Sequence, residues 1–256
     1  MASVACAMNI HNERFALPGA LENAAQWADN IFVAIASPGG KPSTDGTMEI
    51  LEKWGIKPVL MDIMQGFGVI RTRLIRESGC DWTIIQDADE RYVLNGKVLR
   101  CHGDDQFPHT LNPQNSVEVI DHSFCHWKWL KGVIDGAGDD YDAVRVCRRA
   151  WMDMSFKRPA QNWHKHPDHQ LRIVKNKESV GYTTDVRMHE RLVDFTTGTT
   201  PKTFQIDDTE RGLFVEHYNC WFKQFEPEQN TEDAATYDAL DPGVSERMWI
   251  KHFPKA

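Results

Sequence analysis

Short apolar segments alternate with helical patterns along the first 90 residues of the chain. The apolar segments are too short for helices and hold few charges, which is typical of strands that are buried on both faces. They span residues 4–8, 31–36, 58–61 and 82–86. The order βαβαβαβ predicts an α/β fold with a mostly parallel sheet and helices on both faces, because right-handed crossovers allow little else.

The segments between these strands carry apolar residues at helical spacing. Residues 18–28 begin with a proline, which suits a first helical turn, and residues 67–78 are closed by Gly79. Residues 47–54 follow the turn-forming residues 43–46. We therefore predict three helices over these ranges.

The rest of the chain is less regular. Residues 95–140 predict loops around one helix near the aromatic run 124–130, and residues 143–147, 170–174 and 181–185 predict further strands. Residues 226–246 contain seven acidic residues and no Lys or Arg, which indicates a solvated helix or lid that packs through a few apolar anchors.

Composition excludes several classes of protein. The net charge of −8 argues against a globally basic nucleic-acid coat and against a polybasic membrane-surface protein. No stretch approaches the ~20 apolar residues of a membrane span, and the N-terminus lacks the pattern of a signal peptide. The six cysteines are scattered without a CxxC pair, which favours reduced thiols. We predict a soluble cytoplasmic protein.

Acidic residues follow the fourth predicted strand, in the order Asp87-Ala88-Asp89-Glu90. Ligands of such sheets bind beyond the carboxyl ends of the strands. In an extended segment Asp87 and Asp89 would point to the same side, an arrangement suited to Mg²⁺ or Mn²⁺ shared with a diphosphate. Paired acids are also common in surface turns, which is the alternative interpretation.

Several separated motifs occur in a fixed order. They are the strand ending in Asn-Glu at residues 4–13, Ser-Thr-Asp-Gly-Thr at 43–47, FxxxRT at 67–72, DWxxxxDADE at 81–90, PDxQxR at 167–172 and Met-His-Glu at 188–190. In these motifs the chain resembles the family 2 glycosyltransferases with the GT-A fold, in particular the bacterial branch that builds lipopolysaccharide core and related glycans. The resemblance covers residues 2–195.

The resemblance implies a metal-dependent, inverting glycosyltransferase that moves a sugar from a nucleotide-sugar donor to an acceptor hydroxyl. It divides the chain into a nucleotide-sugar-binding half at residues 1–94, an acceptor-side half at 95–222 and a C-terminal extension or lid at 223–256. Where the family places an Asp that contacts the nucleotide base, residues 36–42 read ASPGGKP, so no base is carried over.

The resemblance also implies roles for particular residues. Asp89 would share Mn²⁺ or Mg²⁺ with the donor diphosphate, and Asp87 would hold the ribose or a metal-bound water. His189 would complete the metal site, with His217 as a second, weaker candidate; a structural role is the alternative for a lone histidine. Asp168 is the candidate general base, and pairing with Arg172 is its alternative role. The remaining donor-binding candidates are Asn12, Glu13, Asp45, Arg71, Gln170 and Arg172. Arg71 would contact the diphosphate or brace the carboxylates, and a surface salt bridge is its alternative role.

A basic segment surrounds the candidate base. Residues 145–177 hold nine basic and two acidic residues, interleaved with Trp151, Phe156 and Trp163. Charge mixed with stacking surface indicates a polyanionic acceptor, either a phosphorylated glycan or a nucleic acid with a hydroxylated base. The alternative is that strands here expose one charged face.

Two other functions fit the same pattern of elements. A nucleotidyltransferase acting on sugar phosphates would need a glycine-rich basic loop near the N-terminus, which residues 8–20 lack. A catalytically silent glycan-binding protein on the same scaffold is the other alternative.

Overall fold

The computed structural model describes residues 2–94, 126–138, 140–150, 168–185, 190–206, 213–217 and 227–242. The strands within these ranges are β1 (Val4–Ile10), β2 (Asn30–Ser37), β3 (Val59–Asp62), β4 (Trp82–Ile85), β5 (Glu90–Leu94), β6 (Ala143–Ala150), β7 (Asp168–Lys175), β8 (Val180–Tyr182), β9 (Leu192–Asp194), β10 (Thr203–Gln205) and β11 (Leu213–His217). The α-helices are α1 (Leu17–Ala24), α2 (Thr47–Lys53), α3 (Phe67–Glu77), α4 (His126–Ala137) and α5 (Pro227–Leu240), and a 3₁₀ helix spans Ile63–Gln65.

One mixed sheet contains nine of these strands, in the order β3-β2-β1-β4-β7-β6-β11-β5, with β10 also paired to β6. The pairs β1–β2, β1–β4, β2–β3, β6–β10 and β6–β11 are parallel. The pairs β4–β7, β6–β7 and β5–β11 are antiparallel. The predicted α/β fold with a mostly parallel sheet is therefore confirmed. Strands β8 and β9 form a separate antiparallel pair.

Helices cover both faces of the sheet, as the alternation of side chains along β1 shows. Val4, Cys6 and Met8 point to the core under α1 and α2, whereas Ala7 points to the core under α3. Small residues recur on the α3 side of the sheet, where Ala34 and Ala36 of β2 lie in the same cluster as Ala7. Alanines on this face let α3 approach the sheet closely.

Helix α3 also packs tightly against the segment that follows β8. A Cβ atom at Gly68 would lie 1.9 Å from the carbonyl oxygen of Thr183, so only glycine fits in the first turn of α3. One turn further on, the Thr72 hydroxyl accepts a 2.8 Å hydrogen bond from the Tyr182 amide. These contacts place the first part of α3 against the chain around Glu190.

Strand directions bring several chain segments to one edge of the sheet. Strands β1, β4, β6 and β11 run the same way, so their carboxyl ends meet at this edge. Strands β5 and β7 run the opposite way and begin there, at Glu90 and Asp168. We call this the carboxyl edge.

Some element boundaries differ from the sequence prediction. Helix α1 ends at Ala24 instead of residue 28, because residues 25–27 form the turn that leads into β2. The strand predicted at 181–185 is limited to Val180–Tyr182.

The predicted C-terminal helix is present as α5, with Leu240 buried and the Tyr237 ring 6.3 Å from the Phe67 ring. Among the described residues, no helix combines the length and the apolar character that crossing a membrane requires.

Candidate functional site

Residues 87–90, here called the DADE turn, form a tight turn between β4 and β5. The Glu90 amide donates a 3.0 Å hydrogen bond to the Asp87 carbonyl, and the Asp87 amide donates one of 3.1 Å to Glu90 Oε2. The prediction of an extended segment here is therefore wrong. The chain has to reverse between β4 and β5, and this reversal directs Asp87 and Asp89 toward different partners.

Two arginines, the partly buried Arg71 and the buried Arg172, hold the Asp87 side of the turn. Arg71 Nη2 of α3 lies 3.5 Å from Asp87 Oδ1, and its Nη1 lies 2.5 Å from Glu190 Oε1. Arg172 Nη2 of β7 lies 3.2 Å from Asp87 Oδ2 and also binds Glu90 Oε1. The result is an alternating chain of charges, Glu190–Arg71–Asp87–Arg172–Glu90, which we call the arginine network.

Electrostatics within the network act differently on its two turn carboxylates. Burial favours the neutral acid at Asp87, but the charges of Arg172 and Arg71 outweigh it and lower the pKa of Asp87 below its ordinary value. Burial raises the pKa of Glu90, and Arg172 offsets this only in part. Despite burial, Glu190 and Asp87 raise the pKa of Arg71. Asp87 is therefore held as a carboxylate at neutral pH.

The other side of the turn brings Asp89 to a histidine. His217, the last residue of β11, places its Nε2 atom 3.4 Å from Asp89 Oδ2. Both side chains are largely buried, with exposed fractions of 14% for Asp89 and 11% for His217. Strand β11 reaches the turn because its residues 213–217 pair with β5 in antiparallel register, which sets His217 opposite Glu90.

This pair fits the metal that the sequence predicts. A carboxylate and an imidazole can both bind Mn²⁺, and two adjacent ligands at octahedral distances of about 2.1 Å lie about 3 Å apart. Asp89 and His217 would hold the ion, with diphosphate oxygens and water completing its shell. In the described ranges no three His, Cys, Asp or Glu side chains cluster as a metal site, and His189 lies outside those ranges.

The candidates Asn12 and Glu13, which follow β1, meet a second turn at the carboxyl edge, and this turn contains the candidate Asp45. We call residues 43–47 the DGT turn. Asp45 Oδ1 accepts the Thr47 amide at 3.0 Å, and its Oδ2 accepts the Arg14 amide at 2.9 Å. Asn12, which has a left-handed φ of 54°, accepts the Thr44 amide at 2.9 Å through Oδ1. The Glu13 amide donates to Thr47 Oγ1 at 2.7 Å.

Strand β7 positions the remaining candidates. Asp168 begins β7 at the carboxyl edge, where its backbone pairs with Arg148 of β6. Gln170 lies two residues further on, on the same face of the strand as Arg172, and is half-buried. The side chain of Asp168 lies outside the described part of the structure, so its role as a base stays a prediction.

Sequence analysis missed the structural importance of three residues. Glu90 is fully buried. Arg148 Nη1 lies 4.0 Å from Glu90 Oε1. Arg91, also fully buried, donates to the carbonyls of Ala88 and Glu90 at 2.7 and 2.8 Å. The available signal was a charged residue directly beside a segment predicted to be buried, since Arg148 follows the strand predicted at residues 143–147.

The basic segment 145–177 does not form one patch. Arg148 and Arg172 lie at the carboxyl edge, whereas Lys175 ends β7, about 23 Å from Asp168 at strand spacing. Lys175 donates to the Gly138 carbonyl at 3.2 Å, and Lys177 lies 2.9 Å from Asp142. The three aromatic residues of the acceptor hypothesis and its basic residues at 157, 158 and 165 lie outside the described ranges.

The fold is shared with solved glycosyltransferase structures. The chain is similar to TarS of S. aureus, with a TM-score of 0.50 and 12% identity over 95% of this chain and 41% of TarS. A complex of TarS 1–349 with UDP-GlcNAc gives a TM-score of 0.48 and 11% identity over 95% of this chain and 69% of that one.

The mannosyltransferase PcManGT from Pyrobaculum calidifontis, in complex with GDP-Man and Mn²⁺, gives a TM-score of 0.46 and 13% identity over 97% of this chain and 70% of the PcManGT chain. No family model matches the sequence, and comparison with curated protein sequences gives no match. At these identities the likeness to TarS concerns the fold, and the chain spans less than half of the full TarS chain.

Proposed function

We propose that the protein is a metal-dependent glycosyltransferase that uses a nucleotide-sugar donor. The observation that carries the proposal is the Asp89–His217 pair, 3.4 Å apart at the carboxyl edge, next to Asp87, which Arg71 and the buried Arg172 hold. The order of motifs in the sequence and the fold shared with TarS support it. The solved structures of similar fold include TarS 1–349 in complex with UDP or UDP-GlcNAc and PcManGT in complex with GDP-Man and Mn²⁺.

The chemistry follows from the charge that develops in the reaction. Breaking the bond between a sugar and a diphosphate leaves negative charge on the departing phosphate, and a divalent cation stabilises that charge when bound. Asp89 and His217 would hold the cation. Arg71 and Arg172 hold Asp87, which is proposed to bind the ribose or a metal-bound water.

The acceptor hydroxyl must lose its proton as it attacks the anomeric carbon, and we assign the proton to Asp168. A base that activates the acceptor for a single direct displacement gives an inverting reaction. The product's anomeric configuration, read by NMR against that of the donor, tests this part of the proposal; retention would remove the inverting assignment.

A panel of nucleotide sugars with Mn²⁺ tests the proposed function. A true donor should raise the free energy of unfolding by about 1 kcal/mol or more at concentrations well above its Kd, and the gain should disappear with a chelator. Donor binding without sugar release would favour a silent binding protein. Release of inorganic pyrophosphate from a nucleoside triphosphate and a sugar phosphate would favour the nucleotidyltransferase alternative.

For the acceptor we propose a polyanion, either a phosphorylated glycan or a nucleic acid with a hydroxylated base. The support is Arg148 at the carboxyl edge, beside the start of β7. Binding to phosphorylated oligosaccharide and to single- and double-stranded DNA should fall steeply with the logarithm of salt concentration, and Arg148→Ala should flatten the slope. Binding that does not depend on salt would contradict this acceptor.

The proposed location is the cytoplasm, as the cysteine pattern predicts. Cys6 and Cys80 carry free thiols in the structure. Free thiols in these positions are consistent with a reducing compartment.

A further inference from the structure

Glu90 is a buried carboxylate, and it has no part in the function proposed above. Its side chain has no exposed surface, although a carboxylate loses a large hydration energy on burial and is retained only where it is paired and hydrogen-bonded. It lies next to Asp89 in sequence, at the first position of β5. A charge placed so deeply beside a candidate site calls for a specific function.

The two carboxylate oxygens of Glu90 bind different groups. Oε2 accepts the Asp87 amide at 3.1 Å, which closes the DADE turn from its far end. Oε1 binds Arg172 and lies 4.0 Å from Arg148. One side chain therefore joins the start of the turn to two arginines from β6 and β7.

The backbone behind the turn is held just as firmly. Gln86, fully buried, donates from Nε2 to the Glu90 carbonyl at 2.8 Å. Arg91 donates to the carbonyls of Ala88 and Glu90, and through Nη2 to Ala16 of the loop before α1 at 3.0 Å. The shape of the turn therefore depends on the Glu90 carboxylate, which binds the Asp87 amide, and on Gln86 and Arg91, which bind the turn's carbonyls.

We propose that Glu90 is a positioning residue of the candidate site, with two effects. It holds the DADE turn in the shape that presents Asp89 to His217, and its charge neutralises Arg172 so that this guanidinium group does not bind a diphosphate in place of the metal. The second effect rests on the proposed function, whereas the first is a property of the turn alone.

The electrostatic effect has a definite sign. Removing the charge of Glu90 leaves Arg172 with Asp87 as its nearest remaining carboxylate and leaves Arg148 less compensated. The site then attracts anions more strongly and cations less strongly. A loss of packing alone would weaken the binding of both, so the opposite signs separate a charge effect from general damage.

The positioning effect is measured by amide hydrogen exchange in the full chain, resolved by NMR. In the wild-type protein the Asp87 amide should be protected from exchange, because it donates a hydrogen bond to Glu90 Oε2. Rapid exchange at Asp87 in the wild-type protein would overturn the proposal without any variant. Glu90→Asp keeps the charge but shortens the side chain, and Glu90→Gln keeps the length but loses the charge. Both should speed exchange at Asp87 by about tenfold or more.

The charge effect is measured by calorimetry with Mn²⁺ alone and with inorganic pyrophosphate in a chelator. Glu90→Gln should weaken Mn²⁺ binding and strengthen metal-free pyrophosphate binding, each by about tenfold. Glu90→Asp should leave pyrophosphate affinity close to that of the wild type. The matched control is Glu77→Gln, which removes a Glu–Arg pair from the exposed face of α3 and should change neither affinity.

The outcomes are distinguishable. If the wild-type protein binds neither Mn²⁺ nor pyrophosphate, the proposed function fails, and amide exchange alone then decides the positioning role. If exchange at Asp87 is the same in the wild type and in both variants, the positioning role is wrong. If Glu90→Gln and Glu77→Gln bind pyrophosphate equally, or if Glu90→Gln weakens both ligands together, the charge effect is wrong.

Discussion

The DGT turn and the DADE turn lie at the same edge of the sheet, yet their carboxylates are held in different ways. Asp45 of the DGT turn accepts two backbone amides, from Thr47 and Arg14. Asp87 of the DADE turn binds the side chains of Arg71 and Arg172, which are 16 and 85 positions away. The first arrangement shapes the backbone, whereas the second concentrates charge from distant parts of the chain at one place.

This difference indicates where chemistry is concentrated. A carboxylate that accepts hydrogen bonds from backbone amides mainly stabilises a turn, because its oxygens are occupied by the backbone. Despite burial, Arg172 and Arg71 lower the pKa of Asp87, and at the same turn Asp89 lies beside His217. We therefore expect the DADE turn to control activity and the DGT turn to control local stability, an expectation that five experiments can break or sharpen.

The largest effect is expected at Asp89. Asp89→Ala should abolish transfer and metal-dependent donor binding while the protein stays folded, because the change removes the carboxylate of the proposed metal pair. Donor titrations with Mn²⁺ and with chelator check this, and Asp140→Ala, at an exposed position between α4 and β6, is the control. Wild-type donor affinity that survives the chelator would remove the metal role.

Asp168 lies on the same strand as Arg172 and comes next. Asp168→Asn should keep donor binding and lower the rate of transfer by about 10²–10⁴-fold, the usual effect of losing a general base. Single-turnover kinetics with saturating donor measure the loss. An active Asn variant would shift the search for the base to Glu190 or Asp185.

A substitution at Arg71 tests how much the arginine network contributes to the free energy of unfolding. Arg71→Gln leaves Glu190, whose side chain is 5% exposed, without its guanidinium partner, and should lower the free energy of unfolding by about 3 kcal/mol. Urea unfolding measures the change. Arg73→Gln on the same helix, in an exposed pair with Glu77, should cost about 0.5 kcal/mol, and equal losses in the two variants would contradict the distinction.

A substitution at Asp45 tests how much the DGT turn contributes to stability. Asp45→Ala removes both acceptors of the DGT turn and should lower the free energy of unfolding by about 1 kcal/mol, as the loss of a helix-capping acid does. Urea unfolding checks this against Glu52→Gln, an exposed change on α2. Unchanged stability with lost donor binding would reverse the comparison and support the direct donor role predicted from sequence.

The smallest effect is expected at Asp29, which combines both kinds of partner. Burial would raise its pKa, but hydrogen bonds from Lys131 and the Val4 amide outweigh this and lower it. A lowered folded-state pKa stabilises the protein above the unfolded-state value of about 3.9, and that stability is lost as pH falls through the folded-state pKa.

Asp29→Asn should therefore cost about 0.5 kcal/mol at pH 7, since the side chain is 43% exposed. Unfolding curves between pH 7 and pH 2 should show the difference from the wild type disappearing in acid. A difference that persists at the lowest pH would mean that the pair contributes through packing and not through charge.

Most of the fold could be predicted because its signals are local. The runs at residues 4–8, 31–36 and 82–86 are apolar because these strands are covered on both faces, and this composition is visible without any knowledge of neighbours. Helices α2 and α3 follow turns whose residues adopt conformations that favour glycine, at Gly46 and Gly66. The position of the candidate site followed from the same local order, since ligands bind beyond the strand ends.

Sequence alone determined the parallel first half, the carboxyl edge as the place of the acids, and the identity of Asp87, Asp89 and His217 as candidates. Only the tertiary structure decided which charges meet. Arg172 is four positions from Asp168 in the chain, yet its guanidinium binds Asp87 and Glu90 because β7 runs antiparallel beside β4. Local sequence periodicity does not specify the order or direction of strands. The partners of a buried charge are therefore decided only when distant segments pack together.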